Sequence, residues 1–252
     1  MAGGSGSRLK ASGIDVSKPL LQVSGRPLIS WTLDEMRGAG IETVLVAIRK
    51  DDIALREFLE QYGIETNVEI VVLDQVMEGT LGAVDLLIDS ATTDMCLSTC
   101  DLVCREGTFK QFLRRVSTLE SDEPLAALAV TSLVHDVAPI WIEVEPHDPH
   151  LVRNVGKYLP PQPWCFGNFR WISSKGVATL KDIIGSQSPS RDSQLLGMLA
   201  TSFPGSVVAI DVGPVIDIDD ADDLNFVNSS FRDLIEATKS PRRKGSKVLG
   251  VP

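Results

Sequence analysis

Two spacings of apolar residues alternate along the chain. Short, almost unbroken apolar runs at 44–48, 68–73, 95–99, 125–131, 140–144, 164–172 and 207–211 predict buried strands. Between them, apolar residues recur at helical intervals. Leu55, Phe58, Leu59 and Tyr62 fall at i, i+3, i+4 and i+7, and Phe109, Phe112, Leu113 and Val116 repeat that stripe. Pro27 suits a first helical position and Gly40 a stop, so a helix is predicted over 27–40. Asp51 and Asp52 are placed to cap the helix that carries Leu55. Further helices are predicted over 82–88, 174–184 and 190–200. Leu224, Val227, Phe231, Leu234 and Ile235 line one face of a closing helix. Between 144 and 164 the pattern gives way to a Pro-rich connection.

Strands alternating with helices predict an α/β domain whose sheet is mainly parallel and covered by helices on both faces. The stretch 125–172 breaks the alternation and is expected to form a small antiparallel subregion on the substrate side. In parallel sheets ligands bind at the carboxyl ends of strands, so the residues just after each strand are the functional candidates. A length of 252 residues fits one large domain. That domain is expected over 1–237, followed by a basic tail over 238–252 that is expected to be disordered. The tail carries Lys239, Arg242, Arg243, Lys244 and Lys247 without a carboxylate.

Composition narrows the function. A net charge of −10 argues against a general nucleic-acid binder, which wants a basic face. An anionic substrate must then be drawn by local cations or by a metal. No apolar run approaches the roughly 18–20 residues of a membrane span. No basic-then-apolar leader precedes the first glycines, so the cytoplasm is the expected compartment. Cys96, Cys100, Cys104 and Cys165 lack the paired spacing of a structural zinc site and read as core thiols. His147 and His150 lie in a turn-forming Pro-His-Asp-Pro stretch with no third ligand nearby.

The chemistry gathers at the start of the chain. Gly3, Gly4 and Gly6 let the backbone approach a ligand, Arg8 sits on that loop, and Lys18 follows ten residues later. Exposed amides flanked by two cations suit a polyphosphate. The spacing excludes a P-loop. Ala2-Gly-Gly-x-Gly-x-Arg-Leu9 and then Lys18-Pro-Leu-Leu-x-Val-x-Gly-x-Pro-Leu-Ile29 resemble the opening of the nucleotidyltransferase superfamily, which includes the sugar-1-phosphate nucleotidylyltransferases. Further resembling segments follow in the family's order: Glu78-Gly79-Thr80-Leu-Gly82-Ala83, Ser98-Thr-Cys-Asp101, Gly167-Asn168-Phe169, and Val215-Ile-Asp217-Ile-Asp219-x-x-x-Asp223-Leu224.

The resemblance implies a single Rossmann-like (GT-A-like) domain. It also implies Mg²⁺-dependent transfer of a nucleotidyl group from a nucleoside triphosphate to a sugar 1-phosphate or similar phosphorylated alcohol, with pyrophosphate leaving. The loop of Ala2, Gly3, Gly4 and Gly6, with Arg8, would hold the leaving phosphates, and Lys18 would reach the α-phosphate and the incoming phosphate. Gly79 and Thr80 would touch the nucleobase and ribose, and Gly167 and Asn168 would line the sugar pocket. Lys157 reads equally as a sugar-phosphate contact or a solvated loop lysine. Asp101 and Asp217 would hold Mg²⁺, with Asp219 competing for the second place. Asp220, Asp222 and Asp223 read as helix N-terminal charge.

Two departures from the family's pattern carry expectations of their own. Cys100 stands where many relatives have Gly and is expected to narrow the pocket. Only Met1 and Ala2 precede the glycine loop, where the family has a complete central strand. Without that strand neighbouring edges would go unpaired, so the expectation is either a true start upstream or a fold that tolerates a truncated first strand. Two rival readings remain: a glycosyltransferase with Asp217-Ile-Asp219 as its metal motif, and a non-catalytic regulatory homologue that binds nucleotide sugar.

Overall fold

The computed structural model describes residues 16–66, 69–74, 79–119, 124–136 and 138–231. A 3₁₀ turn, Lys18–Leu20, leads into a tight hairpin of β1 (Gln22–Val23) and β2 (Arg26–Pro27). Ser24 and Gly25 turn it with φ of 50° and 78°, the left-handed region in which a glycine costs least. Then follow α1 (Leu28–Gly38), β3 (Thr43–Ile48), α2 (Ile53–Thr66), β4 (Glu69–Asp74), α3 (Gly79–Ser90), β5 (Met95–Ser98), β6 (Leu102–Cys104) and α4 (Thr108–Val116). The second half runs β7 (Ala126–Thr131), β8 (Trp141–Glu145), β9 (Asp148–Gly156), β10 (Trp164–Ile172), α5 (Ser174–Gln187), α6 (Asp192–Ser202), β11 (Val207–Asp211), β12 (Val215–Asp217) and α7 (Ala221–Phe226). A π-helical turn, Val227–Phe231, ends the described chain.

The main sheet has six strands in the order β5-β10-β7-β11-β9-β8. Its strand directions correct the expectation of a mainly parallel sheet. Only β7 and β11 run parallel within it, and a separate two-stranded sheet pairs β3 with β4 in parallel. The stretch 125–172 is no side region. Its longest strand, β10, lies between β5 and β7 and runs antiparallel to both. The Pro-rich connection is also corrected, because β9 occupies most of it and returns as a hairpin on β8. The prolines conceal that strand from a pattern reading, although Pro146 and Pro149 fall at or beside the turn and Pro160, Pro161 and Pro163 lie beyond Gly156.

Helices cover both faces of the sheet, as β7 shows most directly. All six of its residues are buried. Leu128 and Val130 face a cluster with Val84 and Leu87 of α3, Leu180 of α5 and Leu195 of α6. Ala127 and Ala129 face the opposite cluster, with Leu33 and Met36 of α1 and Phe109 and Phe112 of α4. Phe169 of β10 stacks on Phe109 at 4.2 Å between centroids and meets Phe112 edge-on at 5.0 Å. Such ring pairs add about 0.5–1.5 kcal/mol beyond the area they bury. A cavity of about 540 Å³ lies between β3 and β5, with α1 and α3 among its walls.

One helix borrows its cap from another. Gly107, at φ 80°, gives α4 no side-chain cap of its own. Glu35 of α1 supplies one, its carboxylate accepting from the Gly107 N–H at 2.7 Å and the Phe109 N–H at 3.0 Å. Burial raises the Glu35 pKa against the pull of these amides. The expected glycine loop, the truncated first strand and the basic tail all lie outside the described residues. Among the described residues, no helix is long and apolar enough to cross a membrane.

Candidate active site

The site begins with the short β6–β12 ladder. It pairs Leu102 with Asp217 and extends to a hydrogen bond from the Ile218 N–H to the Asp101 carbonyl at 2.9 Å. Val103, Ile216 and Ile218 are buried in one small cluster, which drives this pairing. Asp101, just past β5, is thereby brought beside Asp217. Asp217 and Asp219 lie two residues apart on an extended segment, so both carboxylates point the same way. Ligand oxygens of Asp101, Asp217 and Asp219 all lie within 4.8 Å of one another.

Lys18 closes the group. Its Nζ donates to Asp101 Oδ2 at 2.6 Å and to Asp219 Oδ1 at 2.7 Å, and the side chain is 8% exposed. Burial disfavours the ammonium, but Asp101, Asp217 and Asp219 together hold its pKa well above the usual lysine range. Burial likewise favours neutral Asp101, yet the Lys18 ammonium holds that carboxyl below its ordinary value. Asp217 goes the other way, pushed well up by burial and then by the Asp101 charge. Among the described residues, one cation thus faces three carboxyl groups.

Asp101 Oδ1 and Asp217 Oδ1 are inaccessible to solvent and accept no hydrogen bond, although acceptors so buried nearly always find a donor. Two orphaned carboxylate oxygens in a triad of aspartates are a donor set suited to a hard divalent cation, so the residues fit Mg²⁺. Among the described residues no other group of three metal-capable side chains comes together. His147 and His150 stand exposed on the β8–β9 hairpin.

The triad opens into a cavity of about 600 Å³. Thr80, Lys157 and Asn168 line it together with Asp101 and Asp217. Asn168 has φ +62° at an irregularity in the β10–β7 pairing, a device that re-aims a side chain out of a sheet. Gly79 is the first residue of α3. Gly167 does not reach the cavity walls. It lets β10 pass close to β7, where an added Cβ would come 3.2 Å from the Ala129 carbonyl oxygen. Cys100 departs from expectation too. It is buried among the apolar residues packed on α1 and α4, where burial pushes its thiol up to about 12, and it is absent from the walls of the site cavity. Ala2, Gly3, Gly4, Gly6 and Arg8 lie outside the described residues.

Sequence reasoning missed His135, Tyr158 and Arg191, all in the cavity wall. The Arg191 Nη1 donates to the Tyr158 hydroxyl at 3.0 Å, lowering the tyrosine pKa. Arg191 is presented by the start of α6, which Arg170 of β10 anchors through a bidentate pair with Asp192 at 2.7 and 2.8 Å. No motif marks these three positions. The i, i+2 spacing of Asp217 and Asp219 was the available signal that both serve one site.

A family model described as the MobA-like NTP transferase domain matches residues 1–152. The chain belongs to that family. Curated relatives of this MobA-like chain include the mannose-1-phosphate guanyltransferase of Aspergillus fumigatus, 24% identical over 115 residues, which are 44% of this chain and 31% of the relative. Another is the bifunctional IPC transferase and DIPP synthase of Aquifex aeolicus, 35% identical over 69 residues, or 27% of this chain and 16% of the relative. The chain thus spans about a third or less of the length of these relatives. Among solved structures, it is similar to the inositol-1-phosphate CTP transferase from T. maritima, with a TM-score of 0.73, 19% identity and 94% of each chain covered. It is also similar to a UDP-glucose pyrophosphorylase complexed with UDP-glucose, with a TM-score of 0.74, 12% identity, and 92% of this chain and 96% of that one covered. At these identities the likeness concerns the fold: an α/β nucleotidyltransferase fold with mixed sheets.

Proposed function

We propose that the protein transfers a nucleotidyl group from a nucleoside triphosphate to a sugar 1-phosphate or a similar phosphorylated alcohol, releasing pyrophosphate, with Mg²⁺ bound at Asp101, Asp217 and Asp219. The observation that carries this reading is the imbalance of the site. Among the described residues, one lysine is set against three aspartates, with two buried carboxylate oxygens left without donors at the head of a cavity. Membership of the nucleotidyltransferase superfamily supports the reaction class.

The divalent cation, when bound, neutralises phosphate charge and aligns the attacking and leaving oxygens. The chain's own residues do the rest. A lysine ammonium has three donors, and two of the Lys18 donors are taken by Asp101 and Asp219. The third is free to hold an oxygen of the α-phosphate or of the incoming phosphate, and the aspartate pair fixes its direction. Arg8 and the amides of Ala2, Gly3, Gly4 and Gly6 take the β- and γ-phosphates. Thr80, with Gly79, meets the nucleoside. Lys157 and Asn168 face the acceptor. A phosphate monoester is already an anion, so the attack needs no general base. Positioning and charge neutralisation supply the rate.

A screen of nucleoside triphosphates against sugar 1-phosphates and other phosphorylated alcohols, read by pyrophosphate release, tests the proposal. Metal-dependent pyrophosphate release from at least one pair is expected. Release of nucleoside diphosphate from a nucleotide sugar instead would identify a glycosyltransferase, and no turnover with any pair would reject the reading.

A further inference from the structure

The turn that carries Asp217 and Asp219 is held by a carboxylate outside the triad. Asp223, 8% exposed in the first turn of α7, accepts from the Asp219 N–H at 2.8 Å and the Asp220 N–H at 3.1 Å through Oδ2. Asp220 returns the arrangement, its Oδ1 accepting from the N–H groups of Asp222 and Asp223. This is a reciprocal capping box. The other Asp223 oxygen, Oδ1, is not used by the helix. It faces His135 Nε2 at 3.4 Å.

His135 is placed there by independent contacts. It stands in the loop after β7, far from α7 in sequence, and its ring stacks on Phe226 of α7 at 4.3 Å with 23° between the planes. Two residues earlier, Leu133 packs against the buried cluster of Ile216, Ile218 and Val227 on either side of the aspartate turn. The same imidazole forms part of the cavity wall. The loop from β7 therefore touches the carboxylate turn from outside and the substrate space from inside.

We propose that His135 is a positioning residue that acts through Asp223. The imidazole pins Asp223, Asp223 fixes the Asp219 and Asp220 amides, and the Asp217 and Asp219 carboxylates are thereby kept in register with Asp101 and Lys18. The inference rests on the proposed function, since it assigns the pair to the cation held by the triad. Helix capping alone accounts for the Asp220 contacts. It does not account for a stacked imidazole brought in from another element to the unused oxygen.

The test compares unmodified protein with His135→Ala, His135→Gln and Asp223→Ala. Two readouts do not depend on turnover: Mn²⁺ binding by electron paramagnetic resonance, and hydrogen exchange of the Asp219 and Asp220 amides. His135→Ala should weaken Mn²⁺ binding about tenfold, the lower range for loss of an outer-shell partner of a metal ligand. It should also speed exchange at 219 and 220 while the melting transition stays cooperative. His135→Gln, whose amide N–H can face the same oxygen, should restore most of both. Asp223→Ala should weaken binding at least as much as His135→Ala. Unchanged Mn²⁺ affinity in folded His135→Ala, or no rescue by Gln, overturns the inference and leaves the proposed function standing. If the unmodified protein binds no Mn²⁺, the proposed metal site and this inference fall together.

Discussion

Two groups of opposite charges among the described residues are buried, and they are built differently. Arg170 is 1% exposed and meets one carboxylate, Asp192, through two short parallel hydrogen bonds. Charge and geometry both balance there, leaving the Arg170 Nε as the one unmatched atom. Lys18 is nearly as buried but, among the described residues, meets more carboxyl groups than cations, and two aspartate oxygens beside it lack any donor. The balanced pair is scaffold, tying β10 to the start of α6. The unbalanced group gives up native-state stability for a high local negative charge. Such a charge is useful only if something cationic joins it.

This contrast can be broken most forcefully at Arg170. Arg170→Ala leaves the Asp192 carboxylate without its buried partner and should cost about 3–5 kcal/mol, read as a fall in the denaturant midpoint. Arg170→Met with Asp192→Leu should recover most of that loss. A single variant as stable as the parent would show that the pair is not the clamp described here. Next comes Lys18→Met, which should slow pyrophosphate release by about 10²–10³-fold, the usual loss when one charge-stabilising donor is removed. Near-normal turnover would remove Lys18 from the chemistry.

Metal supply separates the two groups by a smaller margin. Mn²⁺ or Mg²⁺ at a hundred times its dissociation constant should stabilise the protein by about 2.7 kcal/mol over protein in chelator, seen as a rise in melting temperature. Asp217→Asn should abolish most of that rise. In chelator the same variant should be as stable as the parent or more so, because it replaces a carboxyl whose charged form burial and the Asp101 charge already disfavour. Asp192→Asn should do the reverse, losing stability with or without metal. Equal responses of the two variants would erase the distinction between site and scaffold. The smallest effect belongs to Glu35, a carboxylate matched by backbone amides. Glu35→Ala should cost about 1 kcal/mol, the typical loss of a helix cap, with turnover unchanged when measured on folded protein.

Much of the fold was legible because helices and buried strands write their periods into contiguous residues. The predicted strands at 164–172 and 207–211 coincide with β10 and β11, and the stripe of Phe109 and Phe112 lies on α4. Strand direction was not legible. Alternating strands and helices favour parallel neighbours, yet the hairpin-forming stretch feeds β10 into the middle of the sheet and reverses most pairings. Around the cavity, Asp101, Asp217, Thr80 and Asn168 stood out through segments resembling known relatives, whereas Lys157 read equally as a contact or a solvated loop lysine. His135, Tyr158 and Arg191 were invisible, because each is an ordinary loop residue until the chain folds around the cavity.

By itself the sequence determined most of the segments that become helices and strands, and it pointed to an opening suited to a polyphosphate and to the aspartates that compete for a metal. These properties depend on residues within one or two turns or strands of each other. The tertiary structure alone decided that Lys18 lies between Asp101 and Asp219, that Asp217 shares their oxygen cluster, and that Glu35 caps a helix other than its own. Those contacts join residues far apart in the chain. They follow from the register of β6 on β12 and from the packing of α1 against α4, which no local pattern specifies.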